Sequence, residues 1–259
     1  MSFKLDSVPY KKQDLPTTRD EIVTVSKKLI DEVCTSWKKG KSYHYTLKTN
    51  PTLDSGKIEV KTYHTNRGRE YWLSRVSEHH LDNSTYERLV KVLNGSEKKG
   101  TQWVLPDNTA RSHAEKEYIE TLNRVEILET TPSGWVGVNL EYEMGKPLTT
   151  REFNEWVYVV PPFQTADPNV ETGLVVSVVA DAPMRDPIAH TNAFYVSVES
   201  LDYNRESKKL VWKMATTSDA GGNVPKWIQN SMIAKTVSKD VSFMFEWLGD
   251  GHDNYLHSQ

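Results

Sequence analysis

The sequence has very little cysteine and no excess of charge of either sign. Cys34 is the single cysteine among 259 residues, so an internal disulfide cannot form and we expect a reducing compartment. Lysine and arginine number 32 against 35 aspartates and glutamates, which gives a formal net charge of −3. Nonspecific nucleic-acid binding needs many excess cations to displace counterions from phosphates. We therefore expect no nucleic-acid partner.

Long apolar runs and targeting segments are also missing. The longest apolar-rich stretch, Gly173 to Met184, contains Ser177 and Asp181 and is much shorter than the roughly 20 residues that span a bilayer. The first residues lack the charged and then apolar pattern of a signal peptide. These two absences predict a cytoplasmic protein without a membrane span.

Motifs that carry chemistry are absent as well. The sequence contains no Gly-x-Ser-x-Gly, phosphate-binding loop, His-Glu-x-x-His or dinucleotide fingerprint. His79 and His80 are adjacent, and adjacent side chains on a strand point to opposite faces, so the two do not chelate one ion together. We expect no catalytic residue, no metal and no other cofactor.

What the sequence does contain is a clear order of helices and strands. Apolar residues at three- or four-residue spacing predict a first helix that begins at a Thr18–Glu21 capping box and ends at Lys38-Lys39-Gly40. Period-two alternation then predicts three strands, and two short helices follow. Six further strands are predicted at about 125–130, 135–142, 151–160, 173–180, 192–201 and 209–217.

The short helices and the closing helix have their own signals. Ser84 and Glu87 predict a capping box for the second helix, which Asn94-Gly95 closes, and the apolar spacing of the third helix includes Leu122. Pro225 suits a first helical turn, and apolar residues follow it at helical spacing as far as residue 248. A helix of this length would run roughly 36 Å, enough to cross one face of a curved sheet.

This order of elements resembles that of the START (StAR-related lipid transfer) domain superfamily. Pro147 to Phe153 resembles the family's proline and Arg-x-Phe opening of a middle strand, and Asp219 to Trp227 resembles its glycine, apolar residue and proline before the final helix. Segments 72–79, 195–200 and 212–219 further resemble a fungal START-like family whose members are mostly uncharacterised.

The resemblance implies an α+β helix-grip fold. A curved antiparallel sheet of about nine strands would wrap around the long C-terminal helix, with an apolar tunnel between them. The resemblance covers about residues 17–250, which we predict as one domain between an N-terminal arm, residues 1–16, and a tail, residues 251–259. The residues themselves leave open whether the enclosed space is a filled core or a cavity. The resemblance favours a cavity.

The predicted function is to bind a phospholipid or sterol and to transfer or present it between membranes, without catalysis. The protein would be a monomer that contacts a membrane surface transiently, with a gate near the start of the final helix and a hinge at Gly221 and Gly222. Two alternatives stay open. One is a cyclase- or hydrolase-like enzyme with Arg75, Glu199 and Tyr142 in acid–base roles. The other is a protein-interaction or co-chaperone module with a filled core.

Arg75 is the most informative candidate for contact with a ligand. It stands mid-strand among apolar residues, so a tunnel-facing Arg75 needs an acid such as Glu199 or a ligand head group, whereas an outward Arg75 would form a surface salt bridge. Asp219 is expected to shape the turn before the final helix. Methionines and aromatic residues suit a variable lipid, although most are expected to be core. The candidate ligand-binding residues are Arg75, Tyr142, Phe153, Tyr195, Glu199, Met214, Trp227, Ile228, Met232 and Phe245.

Overall fold

The structure is a computed structural model that describes residues 2–143, 145, 149–222 and 226–253, with side chains from residue 233 onward in the last of these ranges. A one-turn 3-10 helix spans Lys12–Asp14. The α-helices are α1 (Arg19–Ser36), α2 (Asn83–Asn94), α3 (Ala110–Tyr118) and α4 (Lys226–Gly249). The strands are β1 (Lys38–Thr46), β2 (Lys57–Arg67), β3 (Glu70–His80), β4 (Glu97–Lys99), β5 (Gln102–Val104), β6 (Leu122–Thr130), β7 (Val136–Tyr142), β8 (Arg151–Gln164), β9 (Val170–Val179), β10 (Thr191–Asn204) and β11 (Lys209–Asp219).

Nine of these strands form one sheet in the order β1-β2-β3-β11-β10-β9-β8-β7-β6. All neighbouring strands in this order are antiparallel. The first residues of β10 also pair in parallel with the first residues of β8, at Thr191–Ala193 and Arg151–Phe153. The predicted α+β class with about nine antiparallel strands and a long closing helix is confirmed. The two-stranded β4–β5 hairpin was not predicted.

The predicted start of α1 at Thr18 is confirmed, whereas its predicted capping box and its predicted C-terminal end were wrong. Thr18 is the N-cap residue, but its side chain makes no capping bond, and Glu21 Oε1 instead accepts a hydrogen bond from the Phe3 N–H at 3.0 Å. The helix ends at Ser36 because Trp37 is extended and buried against Trp72. Residues 38–40, predicted as the last helical turn, therefore belong to β1.

Two further details of the helices differ from the prediction. Asp82, not a Ser84–Glu87 box, caps α2, since its carboxylate accepts the Thr85 N–H at 2.7 Å. Gly95 ends this helix as predicted, with a φ of +76° that favours glycine. Leu122, predicted in the third helix, lies in β6, where it is buried against the sheet.

The sheet has an outer face that carries α1 and the N-terminal segment. Trp72, Trp156 and Val196 of the sheet pack there with α1 and with Phe3. Residue 10 adds backbone pairing, because the Tyr10 N–H bonds the carbonyl of residue 179 at 2.8 Å. Residues 2–16 are thus part of the outer layer of the molecule.

The opposite, inner face of the sheet carries α2 and α4. One end of this layer is solidly packed, with Tyr203, Trp212, Phe245 and Leu248 all less than 2% exposed. No helix among the described residues combines the length and apolar composition needed to cross a membrane. The inner face is the surface on which the candidate site lies.

Candidate functional site

A charged pair lies at the centre of the inner face. Arg75 of β3 and Glu199 of β10 flank Met214, which is in register with both of them on β11. Arg75 Nη2 is 2.6 Å from Glu199 Oε1, and the arginine side chain is 3% exposed. The predicted pairing of Arg75 with Glu199 is confirmed, and the outward salt bridge is ruled out. A cation buried this deeply needs such a partner.

Trp212 completes the surroundings of this pair. Its Nε1 donates to the same Glu199 Oε1 at 2.7 Å, and the Arg75 guanidinium carbon lies 4.4 Å from the centre of a Trp212 ring. Nε and Nη1 of Arg75 are buried and have no hydrogen-bond partner among the described residues. Unpaired buried donors are costly, so these two N–H-bearing atoms are available to an acceptor on a ligand.

Aromatic side chains line the inner face on one side of the pair. The rings of Tyr142 and Phe153 meet edge to face at 5.3 Å, and the Tyr195 hydroxyl lies 3.5 Å from Met214 Sδ. All three aromatic residues keep partly accessible surface. Burial nevertheless raises the pKa of the Tyr142 and Tyr195 hydroxyls above the usual value.

Two carboxyl groups near the charged pair and these aromatic residues have raised pKa values. Burial, with a smaller contribution from Glu115, raises the pKa of Glu155 to about 8. Burial also raises the pKa of Asp240 on α4 to about 6, against the opposing effect of Arg75. Glu155 therefore carries its proton at neutral pH, while Asp240 is mostly ionised.

A second buried ion pair connects α3 to the same region. Arg111 and Glu115 form a hydrogen-bonded pair, with Nη1 to Oε2 at 3.1 Å, and Arg111 Nε donates to the carbonyl of Leu93 at the end of α2. Burial alone would lower the pKa of Arg111, but Glu115 and Tyr118 more than offset this and hold it above the usual value. This pair is a charged anchor between two helices.

The turn before α4 is fastened to the start of β8. Arg151, on the inner face, donates from Nε to the Ala220 carbonyl at 2.6 Å. Asp219 accepts the Gly221 N–H at 2.9 Å, which confirms that Asp219 shapes this turn. Gly221 and Gly222 have φ angles of +64° and +67°. The predicted gate continues into residues 223–225, which lie outside the described residues.

The structure brings some of the predicted site residues together and separates one from them. Arg75 is paired with Glu199, and Tyr195 contacts Met214, which lies in strand register between the two charged residues. Tyr142 and Phe153 lie on the same face. Phe245 lies apart, fully buried against His79 and Trp212 in the packed end of the layer. The side chains of Trp227, Ile228 and Met232 lie outside the described residues.

Several residues of this region were not predicted. Glu155 has the same strand parity as Phe153, so alternation along β8 could have placed it on the inner face. The i,i+4 spacing of Arg111 and Glu115 could have indicated a helical ion pair, although not its burial. Asp240 depends on the rotation of α4, which the sequence pattern leaves undefined.

A comparison with protein-family models assigns the chain to a family. Residues 72–248 match the family model described as "Protein of unknown function (DUF3074)". The chain belongs to this family. A search of curated proteins gave no match.

Solved structures with a similar fold are START domains. Human STARD10 aligns with a TM-score of 0.61 at 13% identity, covering 95% of this chain and 86% of that one. Human StAR-related lipid transfer protein 5 aligns with a TM-score of 0.60 at 10% identity, covering 91% and 100%. A STAR-related lipid transfer protein fragment from Xanthomonas axonopodis aligns at 0.50 and 12%, covering 82% and 98%. At these identities the likeness shows the fold, and the fold is the START helix grip.

Proposed function

We propose that the chain binds a hydrophobic small molecule, a phospholipid or a sterol, between the inner face of the sheet and α4. It then transfers or presents this ligand between membranes as a cytoplasmic monomer. Two of the structures with this fold are named lipid transfer proteins. The fold supports the proposal, and the inner face of this chain supplies the more specific support.

The observation that carries the proposal is a set of partly accessible aromatic side chains on the inner face beside a buried charged pair. Phe153, Tyr142 and Tyr195 are partly accessible, while the layer beyond Trp212 is packed solid. The Arg75–Glu199 pair stands where the packed part ends, with two arginine nitrogens unpaired. An apolar ligand with one polar end matches this arrangement, because its polar end would meet Arg75 and its apolar part the aromatic side chains.

The size of the hydrophobic term explains why a carrier is useful. At about 0.8 kcal/mol for each buried CH₂, a chain of about sixteen carbons gains roughly 13 kcal/mol on leaving water. A free lipid therefore seldom crosses the aqueous phase. A protein pocket has to match most of this term and release the ligand at a membrane.

A second candidate, catalysis in the same space, rests on one observation. Glu155 is buried with a pKa near neutrality, which is the property of a general acid or base. The sequence supplies no nucleophile motif to accompany it, so we propose binding without a chemical step. Conversion of a bound lipid to a product of different mass would favour the enzyme over the carrier.

Transfer of a fluorescent phospholipid or sterol between vesicles tests the proposal. Phe153→Asp places a charge in the lining of the site and should abolish transfer, because a carboxylate there disfavours an apolar ligand. Phe163→Asp is the matched control, on the same strand but packed with the outer layer. Both variants should keep their far-UV circular dichroism. Transfer by Phe153→Asp at the rate of Phe163→Asp would contradict the assigned site.

A further inference from the structure

The loop between β9 and β10 presents an apolar tip to solvent. This loop, residues 181–190, has Pro187, Ile188 and Ala189 at its tip, and all three are exposed. Ile188 is 97% exposed, more than any other exposed large hydrophobic residue in the described part of the chain. Leaving an isoleucine in water forgoes most of the stabilisation that its burial gives. An isoleucine exposed this completely on a hydrogen-bonded loop therefore suggests a surface that contacts another apolar phase.

Hydrogen bonds hold the tip in one shape. The Asp186 carboxylate accepts the N–H groups of Ile188 and Ala189 at 3.2 and 2.8 Å. The Asp186 carbonyl accepts the His190 N–H at 3.0 Å and closes the turn. Because folding has already ordered this loop, docking through Ile188 would cost little further conformational entropy.

The base of the loop is fixed to the sheet by a buried carboxylate. Glu152 is 0% exposed and accepts the backbone N–H groups of Arg185 and Asp186, while His190 Nδ1 lies 3.0 Å from its Oε2. The Asn139 amide donates to the same carboxylate at 2.8 Å. A buried charge with this many donors holds the loop rigidly at one position on the sheet.

This position is next to the turn that leads into α4. The Thr191 N–H, directly after the loop, bonds the Thr150 carbonyl at 2.9 Å, and Arg151 bonds Ala220 of the turn. The Thr191 side chain is also the near neighbour of Gly221. The apolar tip therefore projects from the same end of the molecule as the start of α4.

We propose that the tip Pro187–Ala189 inserts into a neutral lipid bilayer and docks this end of the molecule against it. The proposal rests on the proposed lipid-carrier function and adds the surface through which the carrier meets a membrane.

The charges of the loop favour a neutral bilayer. Arg185 Nη1 is 2.5 Å from Glu141 Oε1, Asp186 accepts two backbone N–H groups, and His190 lies against Glu152. Arg185 is the only arginine or lysine in residues 181–190 and is paired with Glu141, so the loop itself presents no cluster of cations for anionic lipid. A protein partner fits less well, because a specific interface needs about 800 Å² on each side, whereas a fluid bilayer surrounds a single protruding side chain.

Co-sedimentation of the full chain with phosphatidylcholine vesicles tests the proposal. Ile188→Asp should weaken binding about tenfold, since it replaces an inserting side chain with a charge, and Ile188→Trp should bind at least as well as wild type. Leu53→Asp is the matched control. Leu53 is 56% exposed in the β1–β2 turn, which contacts the C-terminal end of α4 through Thr49 and Asp250, so its substitution should leave binding unchanged.

The outcomes separate this proposal from the proposed function. Equal vesicle binding by wild type and Ile188→Asp would overturn it, as would binding that requires anionic lipid or an absence of binding by wild type. Ligand that copurifies equally with wild type and Ile188→Asp, together with weakened vesicle binding of the variant, supports both statements. A wild-type protein that binds vesicles through Ile188 but never carries a ligand would overturn the carrier function alone.

Discussion

At the scale of single residues, the inner face buries a charged pair, Arg75 and Glu199, at a position where apolar side chains would avoid the cost of desolvation. Removing Arg75 and Glu199 from water costs several kcal/mol for each ion, and their mutual attraction repays this only with good geometry. The 2.6 Å contact, the Trp212 N–H and the stacked indole ring supply that geometry. The two unpaired nitrogens of Arg75 remain a cost that a ligand with an acceptor group would remove.

Single and double substitutions measure how far the pair acts as a unit. Arg75→Leu leaves Glu199 as an uncompensated buried charge and should lower the free energy of unfolding by about 3–5 kcal/mol, as should Glu199→Leu. The double variant should lose only about 1–3 kcal/mol, from the Trp212 N–H left without its acceptor. Urea unfolding of the four proteins is the measurement. A double-variant loss equal to the sum of the single losses would contradict the pairing.

Glu155 gives the stability of the protein a pH dependence. Its pKa rises from the ordinary 4.5 to about 8 on folding, so the folded state keeps a proton that the unfolded state has lost between these values. This stabilisation is complete below about pH 4.5 and is lost as the pH rises towards 8, at up to about 1.4 kcal/mol per pH unit.

Glu155→Gln removes this dependence. The variant should gain stability relative to wild type as the pH rises from 5 to 8, measured as the difference between their melting temperatures. Glu129→Gln, at an exposed carboxylate, is the control and should track wild type. Melting curves of Glu155→Gln and wild type that shift in parallel with pH would show that Glu155 is not buried in protonated form.

At the scale of secondary-structure elements, the turn before α4 links three parts of the sheet. Arg151 at the start of β8 bonds Ala220, and Gly221 lies against the first residues of β10. A Cβ added at Gly221 would lie 2.2 Å from the Asn192 carbonyl oxygen, whereas one at Gly222 would have its nearest contact at 3.6 Å. Both glycines have positive φ, so they differ in packing and not in backbone conformation.

This difference makes the two glycines a matched pair. Gly222→Ala should cost about 1–2 kcal/mol for the left-handed conformation alone. Gly221→Ala should cost clearly more, because the backbone of β10 has to move as well. Chemical unfolding of both variants tests this, and equal losses would mean that the turn does not pack on β10 as described.

The order and type of most elements were predictable because each rests on a local period, whereas the C-terminal ends of α1 and α3 were not. Trp37 fits the helical spacing of α1, and only the position of Trp72 on a distant strand shows that it must leave the helix. Glu21 was read as a capping residue and instead bonds the chain at Phe3. Such ends are decided by contacts between segments far apart in sequence, which periodicity does not contain.

Some features of the candidate site were likewise predictable from the sequence, and others depended on tertiary contacts. An arginine amid apolar strand residues requires a partner, and the acid named as an example of one, Glu199, is the residue that pairs with it. Glu155 was missed although its inward direction follows from the parity of Phe153, because the sequence does not show how deeply a residue on that face is buried. The placement of Phe245 in the packed end depends on where α4 contacts Trp212, which is a tertiary fact.

At the scale of the whole molecule, the two faces of the sheet are packed differently. The outer layer, with α1 and residues 2–16, is a continuous apolar core and supplies stability. The inner layer is packed at the end near α2 and the C-terminal part of α4, and beyond the Arg75–Glu199 pair partly accessible aromatic residues border a second buried apolar cluster on β6–β9. Under the proposed function, this division would allow one end of the inner layer to hold a ligand without loss of the fold.

Native mass spectrometry of the full chain, purified from its own host, tests the central claim most directly. The account predicts a noncovalent mass above that of the bare chain, which organic extraction releases as a lipid or sterol and which Phe153→Asp purified in parallel lacks. A wild-type protein that shows only the mass of the bare chain under conditions that preserve noncovalent complexes would contradict it.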